Sequence, residues 1–201
     1  MKGRSRGPAP RSFDPRSARG KPSRPDERRP AAARPAPPPS ISGKRPTLRV
    51  TKPLRDAIRA GHPWVYDRAL APNKHVGVGD LVTLVDDRGP IATALADPSS
   101  PIRARVLDAP DAACDGAWAA GRAEAAMARR VRDPLLVGCT GRRLVHGEAD
   151  GCPGLVIDAY TDTAVIVFDG PAATAFWRAR IDDVLAGLER GGARIDHVWL
   201  R

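Results

Sequence analysis

The sequence predicts a mixed α+β fold, with two small folded regions behind a basic tail. Three observations carry that reading. The composition changes abruptly near residue 47, the apolar periodicity then runs strand, strand, strand, helix, strand, and 42% of the 201 residues are apolar, enough for one domain or two small ones. No segment repeats itself at a period of about 20 to 50 residues, which argues against a solenoid.

The tail comes first. Residues 1–47 hold 13 Lys+Arg against 3 Asp+Glu, while the other 154 residues hold 20 of each, so the tail carries the whole formal charge of +10. Rich in Pro, Arg, Ser and Gly and nearly devoid of large apolar side chains, it cannot bury enough surface to offset its ordering entropy and is expected to be disordered. It has no apolar h-region, and its prolines break any amphipathic presequence helix. No run of about 18 apolar residues spans a bilayer. The expected location is cytoplasmic, with no membrane partner. Cys114, Cys139 and Cys152 are an odd number at irregular spacings, so reduced thiols are expected and not a disulfide framework.

From Leu48, "LRVTKPLRDAIRAGHPWVYDRAL" reads as a short strand and then a helical segment from about Pro53 that stops at Gly61. "GDLVTLVDDRGPIATALADP" reads as a β-hairpin turning at residues 86–89, and "PIRARVLD" as a third strand. Strict alternation in that strand sets Arg103 and Arg105 on one face, either a solvated face or a phosphate-contacting pair. Residues 115–132 are alanine-rich and helical, with Asp115 as N-cap and arginines in the last turn, where they complement the helix dipole. Two apolar runs, "GLVIDAY" and "TAVIVFD", follow. A helical pattern from about Ala172 to Glu189 and a final run "ARIDHVWL" complete the chain.

The stretch "RRLVHGEADGCPGLVIDAY", residues 142–160, gathers His146, Glu148, Asp150, Cys152 and Asp158. A metal site is disfavoured, because Cys139, His146 and Cys152 form neither a Cys-x-x-Cys nor a His-x-x-x-His pair and a fourth ligand is missing. Acid-base work by Glu148 and Asp150 would need a cleft and a raised pKa. The composition fits a structural connection between two strands, built on Gly147, Glu148, Asp150, Gly151, Pro153 and Gly154. Cys152 has only His146 as a close basic neighbour and suits a small buried apolar role. The glycine pair in "VGVGDLVTLV" leads into a strand and not a helix, so it is rejected as a nucleotide loop.

These residues, together with "GHPWVYDRAL", "GDLVTLVDDRGPIATALADPSSPIRARVLD" and "ARRVRD", resemble the front half of bacterial S-adenosylmethionine-dependent large-subunit (23S) rRNA methyltransferases that make 5-methylcytosine. The resemblance runs from about Leu48 to Arg201 and includes the signature Gly147-Glu148-Ala149-Asp150-Gly151-Cys152-Pro153-Gly154-Leu155. It implies a small PUA-like β-barrel at 48–110 that binds RNA, and a small central α/β domain at 111–201, behind the tail of 1–47. It also implies that the Rossmann-type catalytic domain, with its cofactor loop and nucleophilic cysteines, follows Arg201. No catalytic, cofactor-binding or metal residue is therefore assigned in this chain, and S-adenosylmethionine is implied only for the full-length family.

The leading functional expectation is an RNA-binding portion of an rRNA cytosine methyltransferase, inactive alone, with large-subunit rRNA as partner. Candidate contacts are His62 and Trp64 in "GHPW", Arg103 and Arg105, and the cluster Arg129, Arg130, Arg142 and Arg143. Taken singly, each also fits a structural or solvated role, and Trp64 a place in the core. A stand-alone PUA-type RNA adaptor and a protein-interaction module without RNA are the alternatives, the latter consistent with the balanced charge beyond the tail.

Overall fold

A computed structural model describes residues 45–201. Almost all of the tail, including its expected disorder, lies outside the described residues.

The first half is a five-stranded sheet. β1 (Thr47–Arg49), β2 (Trp64–Tyr66), β3 (Leu81–Asp86), β4 (Gly89–Ala96) and β5 (Ile102–Asp108) lie in the order β1-β3-β4-β5-β2. Only β1 and β3 run parallel. The sheet curls until its edges meet: the Thr51 N–H donates to the Ala69 carbonyl (2.8 Å) and the Ala71 N–H to the Arg49 carbonyl (2.9 Å), closing a small barrel. Leu48, Val65, Val82, Leu84, Ile91, Ala94 and Ala104 fill it.

The helical segment expected from Pro53 is the five-residue α1 (Arg55–Arg59). Its Arg55 is buried and clamps the β3–β4 turn, bonding Asp86 and donating to the carbonyls of Gly89 (2.7 Å) and Pro90 (3.2 Å). That contact holds the Asp86 carboxyl down at about 2. β2 was not expected. A three-residue strand shows too little periodicity to be seen in sequence, and it exists because β5 offers it a partner.

The second half stacks helices on a four-stranded sheet. β6 (Gly141–His146), β7 (Leu155–Tyr160), β8 (Thr163–Phe168) and β9 (His197–Leu200) lie in that order, antiparallel except for the parallel β8–β9 pair. α2 (Gly116–Arg132) begins at Asp115, whose side chain accepts from the Trp118 N–H (2.9 Å). The single helix expected over 172–189 is instead two, α3 (Pro171–Arg178) and α4 (Ile181–Arg190). No Gly or Pro marks the break. Arg180 leaves helical geometry there, donates to the carbonyls of Cys114 (3.0 Å) and Phe176 (2.9 Å), and stacks 3.9 Å over the Phe176 ring. Tertiary partners therefore end α3.

The two halves share a core. Leu95 of β4 and Leu107 of β5 turn away from the barrel interior and pack with Trp177, Phe176, Leu155 and Ala173. β4 is thus covered on both faces, which is why its sequence reads as an almost continuous apolar run. Among the described residues no nucleotide-binding Rossmann unit is formed, and no helix is long and apolar enough to cross a membrane.

Candidate nucleic-acid interface

A groove runs along one side of the barrel, between the chain that follows β2 and the loop that precedes β5. It consists of two adjoining hollows of about 310 and 440 Å³ that share Asp67 and Arg103. The loop before β5 is shaped by Asp97, buried beneath it. Its carboxylate accepts from the Ser99 hydroxyl (2.8 Å) and backbone N–H (3.3 Å), an Asx-type turn, and the Ser100 hydroxyl accepts from the Ile102 N–H (3.1 Å). The Asp67 N–H donates to the Pro101 carbonyl (3.1 Å), tying the two walls together. On the far side, the Asn73 side chain donates to the Thr47 carbonyl (3.2 Å) and accepts from the His75 N–H (2.8 Å).

Tyr66, 45% exposed, stands in the wall with Arg68, while Lys74 lies in the adjoining hollow. Arg103 bridges the two, donating from Nε to Asp67 (3.1 Å). This is an exposed aromatic among three cations, the combination that holds a nucleic-acid strand by stacking and charge. Of these residues the sequence reading singled out only Arg103. The signal it passed over is the "YDR" of residues 66–68, an aromatic and a base at the end of an apolar run.

The structure distributes the other sequence candidates differently. Arg103 and Arg105 do not form one exposed pair. Tyr66 pairs with Ile102 while Val65 pairs with Ala104, so the β2–β5 register slips at Arg103 and the alternation is broken. Arg105 has a side chain only 7% exposed and bonds Glu148 (2.6 Å) and Asp169 (2.8 Å). Trp64, expected in the core, is instead half-buried and donates from its indole to the same Glu148 oxygen (2.9 Å). An indole N–H needs an acceptor when it leaves water, and that need places it at the junction and not inside the barrel. His62 is exposed on the loop after α1.

Arg129 and Arg130 converge on the buried Asp150, and Arg130 also donates to the Arg143 carbonyl (3.0 Å). Arg143 pairs with Asp158 (2.8 Å), and Arg142 lines a shallow hollow with Arg130, Val137 and Cys139. The cluster is therefore contiguous, yet its guanidinium groups are largely committed to carboxylates.

In the connection between β6 and β7, Gly147–Asp150 make one short helical turn. Burial pushes the Glu148 and Asp150 carboxyls up, but hydrogen bonds outweigh it. Trp64 and Arg105 on Glu148, and Arg130, Arg129 and the His146 N–H on Asp150, hold both below the usual carboxylate range. Neither carboxyl is poised as a proton donor near neutrality. Gly154 adopts φ 74°, and a β-carbon there would come within 2.7 Å of Ala173. The Pro153 carbonyl accepts from the Trp177 indole (2.8 Å). Cys152 is fully buried, and that burial pushes its thiol up to about 12. Among the described residues no three His, Cys, Asp or Glu side chains are grouped as metal ligands would be. Gly79 lies just ahead of β3, with Ala175 filling the space beside it, so this glycine pair leads into a strand and not into a helix N-terminus.

Comparison with known proteins agrees with this architecture. The PUA-like domain model matches residues 48–109. A ribosomal RNA large subunit methyltransferase of Deinococcus radiodurans is 42% identical over 135 residues, covering 64% of this chain and 33% of the relative. Ribosomal RNA large subunit methyltransferase I of Escherichia coli O127:H6 is 33% identical over 146 residues, 70% of this chain and 36% of its own. A Streptococcus mutans structure described as a SAM-dependent methyltransferase shares the fold at a TM-score of 0.63 and 15% identity, over 78% of this chain and 40% of that one. The chain thus spans about a third of the length of the curated relatives it matches. Residues 48–109 belong to the PUA-like domain family, and over about 60–70% of its length the chain is homologous to the N-terminal portions of ribosomal RNA large subunit methyltransferases.

Proposed function

We propose that this chain is the RNA-recognition portion of an S-adenosylmethionine-dependent rRNA cytosine methyltransferase, and that the described residues bind RNA without performing methyl transfer. The observation that carries the reading is the PUA-like match at 48–109 in a chain homologous to large-subunit rRNA methyltransferases. The cationic groove on that barrel supports it. The loop of Gly77 and Gly79 is not a cradle for S-adenosylmethionine, because it leads into β3 and not into a helix N-terminus, and Ala175 fills the space beside Gly79. The work left to these residues is to hold a phosphate backbone with Arg68, Lys74 and Arg103 and to offer Tyr66 as a stacking face. The basic residues of 1–47 add attraction that does not depend on sequence. Large-subunit rRNA is the proposed partner and the cytoplasm the proposed location.

Fluorescence anisotropy with a large-subunit rRNA transcript tests this. Binding should be measurable at low salt and should weaken steeply as salt rises, and calorimetry should give no heat with S-adenosylmethionine. Absence of RNA binding at low salt would refute it. A protein-docking role is the second reading. It is favoured by β9, where Val198, Trp199 and Leu200 are all exposed along a sheet edge.

A further inference from the structure

We infer that the groove beside β2 is a seat for a single unpaired nucleotide, held by stacking and charge. This deepens the RNA-binding reading and rests on it. Each hollow, at about 310 and 440 Å³, falls at the small end of the range of ligand pockets. They are open recesses beside β2, where a base splayed from its strand can lay a face on Tyr66, whereas the bases inside an A-form duplex already have both faces stacked on neighbours.

The chemistry of the lining is specific to such a guest. Tyr66 supplies an exposed ring on which any base can stack. Arg68 lines the same hollow and Lys74 the adjoining one, and both are exposed. Arg103 is anchored by its Nε on Asp67, and its two outer amino groups make no hydrogen bond among the described residues, which leaves them for a phosphate. One carboxylate against three cations keeps the groove positive.

The neutral polar side chains of the lining each hold a bond to the chain that fixes their orientation. Asn73 uses both ends of its amide on the chain, Ser99 donates to Asp97, and Ser100 accepts from the Ile102 N–H. The seat therefore favours unpaired over paired RNA, through a stacking face that any base can use. It is also distinct from the Arg105 and Arg129–Arg130 sites, whose charges are taken by Glu148, Asp169 and Asp150.

The test uses the full chain, a short labelled single-stranded RNA and a blunt-ended duplex containing the same strand, with affinities read by anisotropy. Tyr66→Ala should weaken single-strand binding by about fivefold or more, while Tyr66→Phe retains it and duplex affinity changes by less than about twofold. Arg68→Gln with Arg103→Gln should lower the salt slope for single strands by roughly one to two. In the unmodified protein, single-stranded RNA should shield Lys74 from acetylation, read by mass spectrometry, which gives a result even if a variant misfolds. If the wild type binds single strands but Tyr66→Ala binds equally well and Lys74 stays reactive, the seat is refuted and RNA binding stands. If the wild type binds neither RNA, the RNA reading falls and the seat falls with it.

Discussion

Asp150 shows how much one side chain can fix. Its carboxylate, 3% exposed, accepts from Arg129, from Arg130 and from the His146 N–H (2.7 Å), and so pins α2 to the β6–β7 connection. Replacing it with Ala strands the largely buried Arg130 guanidinium, and we expect a loss of about 3 kcal/mol in a denaturant titration. The pH dependence follows from the direction of its shift. Asp150 and Glu148 titrate lower folded than unfolded, so their stabilisation is complete above the unfolded value of about 4 and is lost as pH falls through the lower folded value. Melting temperature should therefore drop on acidification below about pH 4, and Asp150→Asn should flatten that drop. A wild-type melting temperature that stays level there would contradict the assignment.

Among the elements, the α2–α4 contact is the most exacting. A β-carbon on Gly187 would lie 2.2 Å from the Ala120 carbonyl oxygen, so the two helices approach as closely as they do only because Gly187 has none. Gly121, one residue further along α2, faces open space. The same substitution should then act with opposite sign. Gly121→Ala should stabilise by up to about 1 kcal/mol through helix propensity, whereas Gly187→Ala should force α4 outward and destabilise by roughly 1–3 kcal/mol. Chemical denaturation of the two variants decides it, and equal effects would mean that the helices are free to separate. Both glycines look alike in the sequence, each a helix-weakening residue in an alanine-rich or amphipathic stretch. Only the packing distinguishes them.

For the whole molecule, the question is whether barrel and second sheet fold as one unit. Leu95 and Leu107 leave the barrel's own interior to join the core around Trp177, and Arg105, Trp64 and Glu148 close the same junction with hydrogen bonds. Calorimetry of the full chain should accordingly show a single transition for the folded part. Leu95→Ala should lower its stability by about 2–5 kcal/mol without splitting the transition. Two resolved transitions in the wild type would show that the junction does not couple the halves.

Period and composition by themselves determined the α+β class, the β3–β4 hairpin, β5, the long α2 with its Asp115 cap, and the strands flanking the "GEADGCPG" connection. These follow from local physics: alternating or helical burial, turn residues with restricted φ and ψ, and a cap that satisfies its own backbone. The family resemblance added the PUA-like barrel, which local pattern does not specify. What only the tertiary structure decided is where side chains of equal chemistry end up. Arg103 and Arg105 are two residues apart on one strand, yet a register slip and the carboxylates Glu148 and Asp169, 43 and 64 residues away, bury one and leave the other in a groove. Tyr66 at the end of β2 faces the loop that Asp97 shapes, Lys74 joins the groove on a segment pinned by Asn73, and the break before α4 is made by Arg180 reaching Cys114, 66 residues earlier. Partners so distant in sequence leave no periodic trace, because burial and ion pairing depend on which surfaces meet and not on spacing along the chain.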